Sequence, residues 1–525
     1  MHDNANLYAL IESRFAADRA SACIETTDGL VYTWNDLHHG SARIAHWLAS
    51  LDLPAGARVA VQVEKSPESL MLYLATLRAG LVYLPLNTAY QQAEIEYFLG
   101  DAAPDVLVCT PARRAELAPL AKRAGCRTVV TLGEARDGTL LEAAAGFADD
   151  FATRSCTRDD LAAILYTSGT TGRSKGAMLS HGNLAANALT LDEYWGFAAA
   201  RAAGRRDVLL HALPLFHVHG LFVASHAALL AGAQTLFLPK FDAAQVLQRL
   251  PRATVFMGVP TYYTRLLADP AFDRARCAAM RLFVSGSAPL LADTHREFEA
   301  RTGHRILERY GMSETVMLTS NPYVAEEGER IAGTVGKPLP GVGVRVVNDD
   351  GSECATGEIG GVQVRGPNVF RGYWKMPQKT AEEFTADGWF RTGDVGHFGG
   401  SAPAGYLTLV GRSKDLIISG GYNVYPKEIE GYVDELPDVV ESAVIGLPHP
   451  DFGEAVAAVV VARRAGALDA QRITDALRGR IANYKLPKRV FVVEDLPRNT
   501  MGKVQKNVLR ERYKSTFTKQ SRNAA

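Results

Sequence analysis

Eleven residues, Tyr166-Thr167-Ser168-Gly169-Thr170-Thr171-Gly172-Arg173-Ser174-Lys175-Gly176, hold five Ser/Thr hydroxyls, three glycines and two cations. Glycines let neighbouring backbone N–H groups turn inward as an anion-binding nest. The hydroxyls add donors, and Arg173 and Lys175 add positive charge. Phosphate is the ligand that this composition suits. The spacing excludes a Walker A loop, because Gly169 and Gly172 lie too close together and Lys175 precedes a glycine. It does not fit GxGxxG either.

Further along, several other residues carry chemistry. His211, His217 and His219 crowd a strand-to-turn stretch, Val208 to Gly220. No cysteine or carboxylate joins them at zinc spacing, so packing or a substrate pocket is their expected role. Tyr262 and Arg265 stand three apart and share one helix face. A guanidinium there can grip a carboxylate through two parallel hydrogen bonds. Ser285-Gly286-Ser287-Ala288-Pro289 reads as a tight turn after a strand, where glycine lets a flat ring approach the backbone. Glu314, in Leu307 to Thr315, offers a hard carboxylate of the kind Mg2+ takes. Asp394 follows a short strand, where a carboxylate can accept both ribose hydroxyls.

These residues need a scaffold that presents strand ends to one side. Leu161 to Leu165 reads as a buried parallel strand leading into the hydroxyl-rich loop. Ser180 reads as a helix N-cap. Through residues 1–150, strand patterns (58–63, 82–86, 106–109, 128–131) alternate with helical ones (42–48, 69–79). That rhythm predicts an α/β protein with doubly wound, mostly parallel sheets. Lys65 and Ser66 follow a strand end and are read as surface polar residues. Ala198 to Arg206 is read as a surface loop. The Gly/Pro-punctuated stretch from Gly333 to Gly341 predicts a link to a β-rich subdomain.

Composition narrows the function. Apolar residues make up 47% and charged residues 22%, so a chain of this length can bury two or more cores. Lys plus Arg and Asp plus Glu both total 57, leaving no basic footprint for nucleic acid or an anionic membrane. The six cysteines are scattered with no CxxC, and reduced thiols suit a cytoplasmic enzyme. No apolar run approaches the roughly 18 residues of a spanning helix.

In order along the chain, these strings resemble the adenylate-forming superfamily of acyl-CoA synthetases, luciferases and peptide-synthetase adenylation domains. The resemblance implies an N-terminal adenylation domain over 1–411, with the β-rich subdomain at about 335–411. A small mobile α+β C-terminal domain would span 412–510, and a tail 511–525. It implies ATP, Mg2+ and coenzyme A as cofactor and co-substrates. Thr167, Ser168, Gly169, Thr170, Thr171, Gly172 and Lys175 would cradle the leaving phosphates. Ser287, Ala288 and Pro289 would line the adenine edge and acyl group. In the next motif, Glu308, Arg309, Tyr310, Gly311 and Met312 would bind nucleotide, with Tyr310 stacked on adenine. Glu314, with Thr167, would hold Mg2+, and Thr315 and His217 would meet the α-phosphate. Asp394 and Arg412 would take the ribose. Lys414 would be the hinge, Gly420, Gly421 and Tyr422 would line the CoA tunnel, and Lys503 would be the catalytic lysine.

The strings Pro214 to Gly220, Pro260 to Arg265, Ser285 to Ala288 and Glu308 to Met312 are most similar to the branch that activates malonate. That implies a grip on a second carboxylate by Arg265, Ser287, His219 and His211. Methylmalonate, acetate, coumarate or a fatty acid are the alternative acids. Pro497, four residues, then Gly502-Lys503 resembles a site at which a lysine acetyltransferase silences such enzymes.

Overall fold

The computed structural model describes residues 4–167, 174–419, 422–464, 466, 468–499 and 502–517. The chain forms two compact units. The first comprises 1–332, 336–343 and 364–390; the second comprises 333–335, 344–363 and 391–525.

Two sheets build the first unit. Among the described residues, one has six strands, ordered Thr128–Thr131, Val106–Cys109, Arg58–Gln62, Val82–Pro85, Leu161–Thr167 and Lys175–Ser180. All its pairs are parallel except the last. Parallel sheets are covered on both faces, so their strands read as continuous apolar runs. Ala60, Leu84, Leu107 and Ile164 accordingly pack with Ile95, Phe98, Leu99 and Leu117 from the flanking helices. The helix Trp34–Ser50 opens on a reciprocal box between Thr33 and Asp36. The helix Pro67–Arg78 opens on one between Ser66 and Ser69. Each box satisfies backbone N–H groups that a helix start leaves bare.

The second sheet has nine strands among the described residues. They run Lys337–Pro338, Val316–Ser320, Leu307–Met312, Leu282–Ser285, Val255–Gly258, Val208–His211, Gln234–Phe237, Ala22–Thr26 and Val31–Thr33. The middle is parallel and both edges are antiparallel. Phe256, Tyr263, Phe283 and Phe298 interlock edge to face behind it. The carboxyl ends of these strands, where open α/β sheets bind ligands, carry His211, Ser285 and the run from Glu308.

The second unit holds a sheet of four strands, Gly343–Val347, Gly360–Arg365, Phe390–Phe398 and Leu407–Arg412. It also holds a sheet built on the long hairpin Val439–His449 and Gly453–Ala462. Ile429 and Val433 of the helix Pro426–Asp434 pack there on Val444, Val456 and Ala458.

Four details differ from the sequence reading. Most of the β-rich segment groups with the C-terminal unit, although it was assigned to the N-terminal domain. Lys175–Ser180 is a strand that pairs antiparallel with Leu161–Thr167, so the hydroxyl-rich loop joins two strands. Within 198–206, the helix Phe197–Ala202 replaces part of the expected surface loop, because Phe197 and Ala200 are buried. Lys65 and Ser66 are buried as well, Ser66 by capping a helix and Lys65 by bonds described below.

Candidate active site

On the phosphate side, Ser168, Gly169, Thr170, Thr171 and Gly172 lie outside the described residues. The flanks of their loop are described. Thr167 ends one strand and Lys175 begins the other, with Thr167 Oγ1 3.5 Å from Lys175 O. The ammonium of Lys175 lies 4.1 Å from the centre of the Tyr373 ring and 3.4 Å from a Glu383 oxygen. The same Tyr373 donates its hydroxyl to Glu314 Oε1 at 3.0 Å. One aromatic side chain therefore ties the loop's cation to the buried carboxylate expected to hold Mg2+. A single protein carboxylate with phosphate oxygens is an ordinary Mg2+ site, so Glu314 fits that ion. Thr315 is fully buried, and its hydroxyl has no hydrogen-bond partner among the described residues. Buried polar groups are normally paired, so this hydroxyl is aimed at something the chain itself does not supply. Tyr310 and Glu308 are buried on the neighbouring strand; Glu308 stands 3.7 Å from His295 Nδ1. Gly311 and Met312 end that strand.

On the acid side, the turn after Leu282–Ser285 is strained. Ser287 has φ +70°, a region that side-chain-bearing residues rarely enter. Such strain gathers at binding sites. Gly286 is there because of Arg309: a Cβ at 286 would lie 2.3 Å from the guanidinium carbon. Arg309 is 4% exposed, and its Nε and Nη2 have no hydrogen-bond partner among the described residues. Burial brings its pKa down to about 9. Ser287 Oγ stands 3.4 Å from His219 Nδ1, and His219 Nε2 has no partner among the described residues. Burial, and then the charge of Arg309, hold His219 well below the usual imidazole range. The imidazole is therefore neutral and available as a donor or acceptor. Ser285 Oγ is buried and likewise without a partner among the described residues. Ala288 and Pro289 continue the turn toward solvent. These neighbouring groups hold unspent polar atoms, which suit an anionic oxygen.

Two other residues expected to grip the acid lack this buried, unspent character. Arg265 is exposed on the helix Pro260–Leu267, so it is not the buried anion partner; its neighbour Tyr262 stacks on Phe241. The ring of His211 is spent within the protein. Its Nδ1 faces Lys65 Nζ at 2.9 Å, and its Nε2 faces Gly220 O at 3.0 Å. That leaves neither nitrogen for a substrate carboxylate. His217 is half-buried and packs against the Phe216 ring.

In the second unit, Asp394 and Arg412 face each other across paired strands, with Nε 2.8 Å from Oδ1. Lys414 is exposed in a short 3-10 turn. Burial of its stem and the charge of Arg412 bring its pKa down to about 8. Gly420 and Gly421 lie outside the described residues, and Tyr422 is exposed and stacked on Tyr484. Lys503 is exposed. Its backbone N–H donates to Asn499 Oδ1 at 3.0 Å, and Arg498 donates to Gly502 O at 2.6 Å.

Two family models match the chain: AMP-binding enzyme over residues 13–374 and AMP-binding enzyme C-terminal domain over 428–503. The chain belongs to the AMP-binding enzyme family. Among its relatives is a malonate–CoA ligase of Arabidopsis thaliana, 37% identical over 488 residues, covering 87% of this chain and 78% of that protein. An indoleacetate–CoA ligase of Aromatoleum aromaticum is 36% identical, covering 91% and 93%. The crystal structure of ATP-bound MatB from Rhodopseudomonas palustris superposes with a TM-score of 0.93 at 54% identity, covering 98% of this chain and all of that one.

For this AMP-binding enzyme, the structure brings two residues beside the expected ones that the sequence did not single out, Tyr373 and Glu383, and gives Arg309 a setting that the sequence did not show. Tyr373 lies in a loop without periodicity, and nothing local marks it as the link between Lys175 and Glu314. Glu383 had no motif. Arg309 was noticed, but for nucleotide; only its position behind Gly286 shows which part of the site it faces.

Proposed function

We propose that this enzyme is an ATP-dependent ligase that joins malonate to coenzyme A, releasing AMP and diphosphate by way of an acyl-adenylate. The observation that carries this reading is Arg309, a buried guanidinium with two unpaired nitrogens beside Ser287 and His219. Leaving a charge buried and unpaired costs several kcal/mol. A substrate with a second carboxylate removes that cost, and a neutral acyl tail does not. The malonate–CoA ligase among the relatives supports the same choice. Arg309 then supplies the deep half of the grip, and Arg265 the solvent side.

In the first half-reaction, one malonate carboxylate oxygen attacks the α-phosphorus of ATP. An O–P bond forms, the bond to the β-phosphate oxygen breaks, and diphosphate leaves. Lys175 and the hydroxyl-rich loop meet the leaving phosphates, and Thr315 and His217 orient the reacting carboxylate and α-phosphate. Glu314 and Thr167 would hold Mg2+, which would neutralise charge at the phosphates. Lys503 counters charge that builds as the new bond forms, and Asp394 with Arg412 fixes the ribose. In the second half-reaction the CoA thiolate attacks the acyl carbonyl and AMP leaves. Lys414 serves as the hinge between the two half-reactions, and Gly420, Gly421 and Tyr422 guide the thiol. Positioning and electrostatics dominate such chemistry.

A panel of acids assayed by diphosphate release tests the substrate. Malonate should give the highest kcat/KM, with methylmalonate next. A preference for acetate, coumarate, indoleacetate or a fatty acid would overturn the malonate reading and leave the acyl-CoA ligase reading intact. We place the reaction in the cytoplasm. Lys503, exposed at a Gly-Lys step, also suits a lysine acetyltransferase, and acetylation would erase its charge. Intact mass after incubation with such an enzyme and acetyl-CoA should rise by one acetyl group; an unchanged mass would exclude the modification.

A further inference from the structure

Lys65 is a lysine in a place where lysines rarely sit. It follows the strand Arg58–Gln62 and is 9% exposed. Among the described residues, no carboxylate pairs with it. Its ammonium donates to His211 O at 2.8 Å, faces His211 Nδ1 at 2.9 Å, and lies 4.2 Å from the centre of the Phe237 ring. Lys65 comes from the six-stranded sheet and His211 from the nine-stranded one, so the pair joins the carboxyl ends of two sheets.

The hydrogen bonds leave His211 one tautomer. Burial lowers the Lys65 pKa well below its usual value, but as ammonium or as amine its N–H groups can donate to His211 O and to Nδ1, which accepts once Nε2 carries the ring proton. The Gly220 carbonyl only accepts, so Nε2 must carry the proton, and it stands 3.0 Å away. Ser225 Oγ–H donates to the same carbonyl at 2.9 Å. That carbonyl belongs to the tightest point of the histidine turn: a Cβ on Gly220 would lie 1.9 Å from Pro214 O. His219 is the residue before it and begins the π-helical stretch His219–Ser225. Such bulges are frequent at functional sites. A chain of contacts therefore runs from Lys65 through His211 and Gly220 to His219, and on to Ser287 Oγ at 3.4 Å.

We propose that Lys65 is a positioning residue for acid recognition: it fixes His211 as the Nε2–H tautomer, which pins the Gly220 carbonyl and so seats His219 against Ser287. The proposal rests on the reading of the Arg309–Ser287–His219 cluster as the acid site. The groups facing His211 are Lys65, Gly220 O, Ser225 and Phe237, with His219 across the turn and Cys23 and Thr235 lining the small adjoining cavity. None carries a negative charge. A proton on His211 would oppose Lys65, and burial and that charge both hold the ring well below the usual range.

The test compares Lys65→Met, which removes charge and donors, with Lys65→Gln, which keeps amide donors and removes only charge. Acid-dependent ATP–diphosphate exchange is measured from pH 5.5 to 8. Lys65→Met should raise KM for malonate about tenfold or more, with KM for ATP within about twofold of wild type, a loss of binding to one substrate only. Lys65→Gln should recover most of that loss at pH 8. As pH falls toward 5.5 its KM for malonate should climb more steeply than that of wild type, because the Lys65 charge no longer helps burial to keep the His211 ring neutral. An unchanged malonate KM in Lys65→Met, an equal loss for ATP and malonate, or a Lys65→Gln profile parallel to wild type would each overturn the proposal. If Lys65→Met does not fold, the Lys65→Gln profile decides alone. If wild type shows no exchange with malonate, the malonate reading falls, and the same variants assayed with the acid that wild type does use still test Lys65.

Discussion

Around Ser287 the polar groups are buried and several of their atoms are unspent: Nε and Nη2 of Arg309, Nε2 of His219, Oγ of Ser285. Around Lys503 the arrangement is reversed. The residue is exposed, and its loop is closed on itself by Arg498 to Gly502 O, Lys503 N to Asn499 Oδ1 and Gln505 N to Pro497 O. The loop is moored to its own unit by the Arg498–Glu441 and Lys506–Glu430 ion pairs. Recognition of a small anion requires desolvated donors fixed before the ligand arrives, which costs stability. A catalytic ammonium needs a defined loop but can stay hydrated until the charge it answers develops. On the proposed reading, the first region binds the acid and the second carries the lysine that answers developing charge.

Lys503→Ala should break this division most visibly. Malonate-dependent ATP–diphosphate exchange should fall about 1,000-fold, in line with loss of a preorganised charge, while thioester formation from supplied malonyl-adenylate stays within about tenfold. A comparable loss in both half-reactions would place Lys503 in general binding. Next in size, Arg309→Met should lower kcat/KM for malonate about 100-fold, as expected for a buried charge pair, with KM for ATP nearly unchanged. Arg265→Ala should cost about fivefold or less, the scale of an exposed ion pair. Kinetics in which Arg265 outweighs Arg309 would restore the sequence assignment.

The buried histidines sharpen the comparison through stability. Burial holds His181 at about 4 and His226 at about 3, and lowers His211 and His219 well below their usual range. Their folded pKa values lie below the unfolded value of about 6.5, so the unfolded chain binds more protons as pH falls. Stability is full above about pH 6.5 and declines below it, by up to about 1.4 kcal/mol per pH unit for each ring. Thermal melting between pH 7.5 and 5 should show that decline in the first unit. A flat profile would mean that these rings take up protons in the folded chain as they do in the unfolded one. The smallest effect is expected from Arg498→Met, which should slow adenylation about fivefold by loosening the Lys503 loop, the worth of roughly one hydrogen bond to a carbonyl. An unchanged exchange rate would show that the loop needs no such brace.

Much of this was legible in the sequence where period and punctuation agree. The strands 58–62, 82–85 and 106–109 were marked by their apolar runs, and Thr33 and Ser180 by their capping chemistry. Glu314, Asp394 and Lys503 were singled out by the resemblance of their motifs, since a lone Glu, Asp or Lys carries no such signal by itself. What stayed hidden depends on contacts across long separations. Lys65 and His211 are 146 residues apart, and Tyr373 and Glu314 are 59 apart. A charged residue after a strand looks the same in sequence whether it meets water or a buried imidazole. Arg265 and Arg309 differ in the same way, since helical spacing fixes a shared face but not which face is buried.

The most direct measurement follows oxygen from the acid. With malonate labelled in its carboxylates by oxygen-18, together with ATP and coenzyme A, an acyl-adenylate route transfers one labelled oxygen to AMP when the thioester forms. Mass analysis should find that oxygen in AMP and none in diphosphate. Unlabelled AMP, with the label in inorganic phosphate beside ADP, would contradict the account.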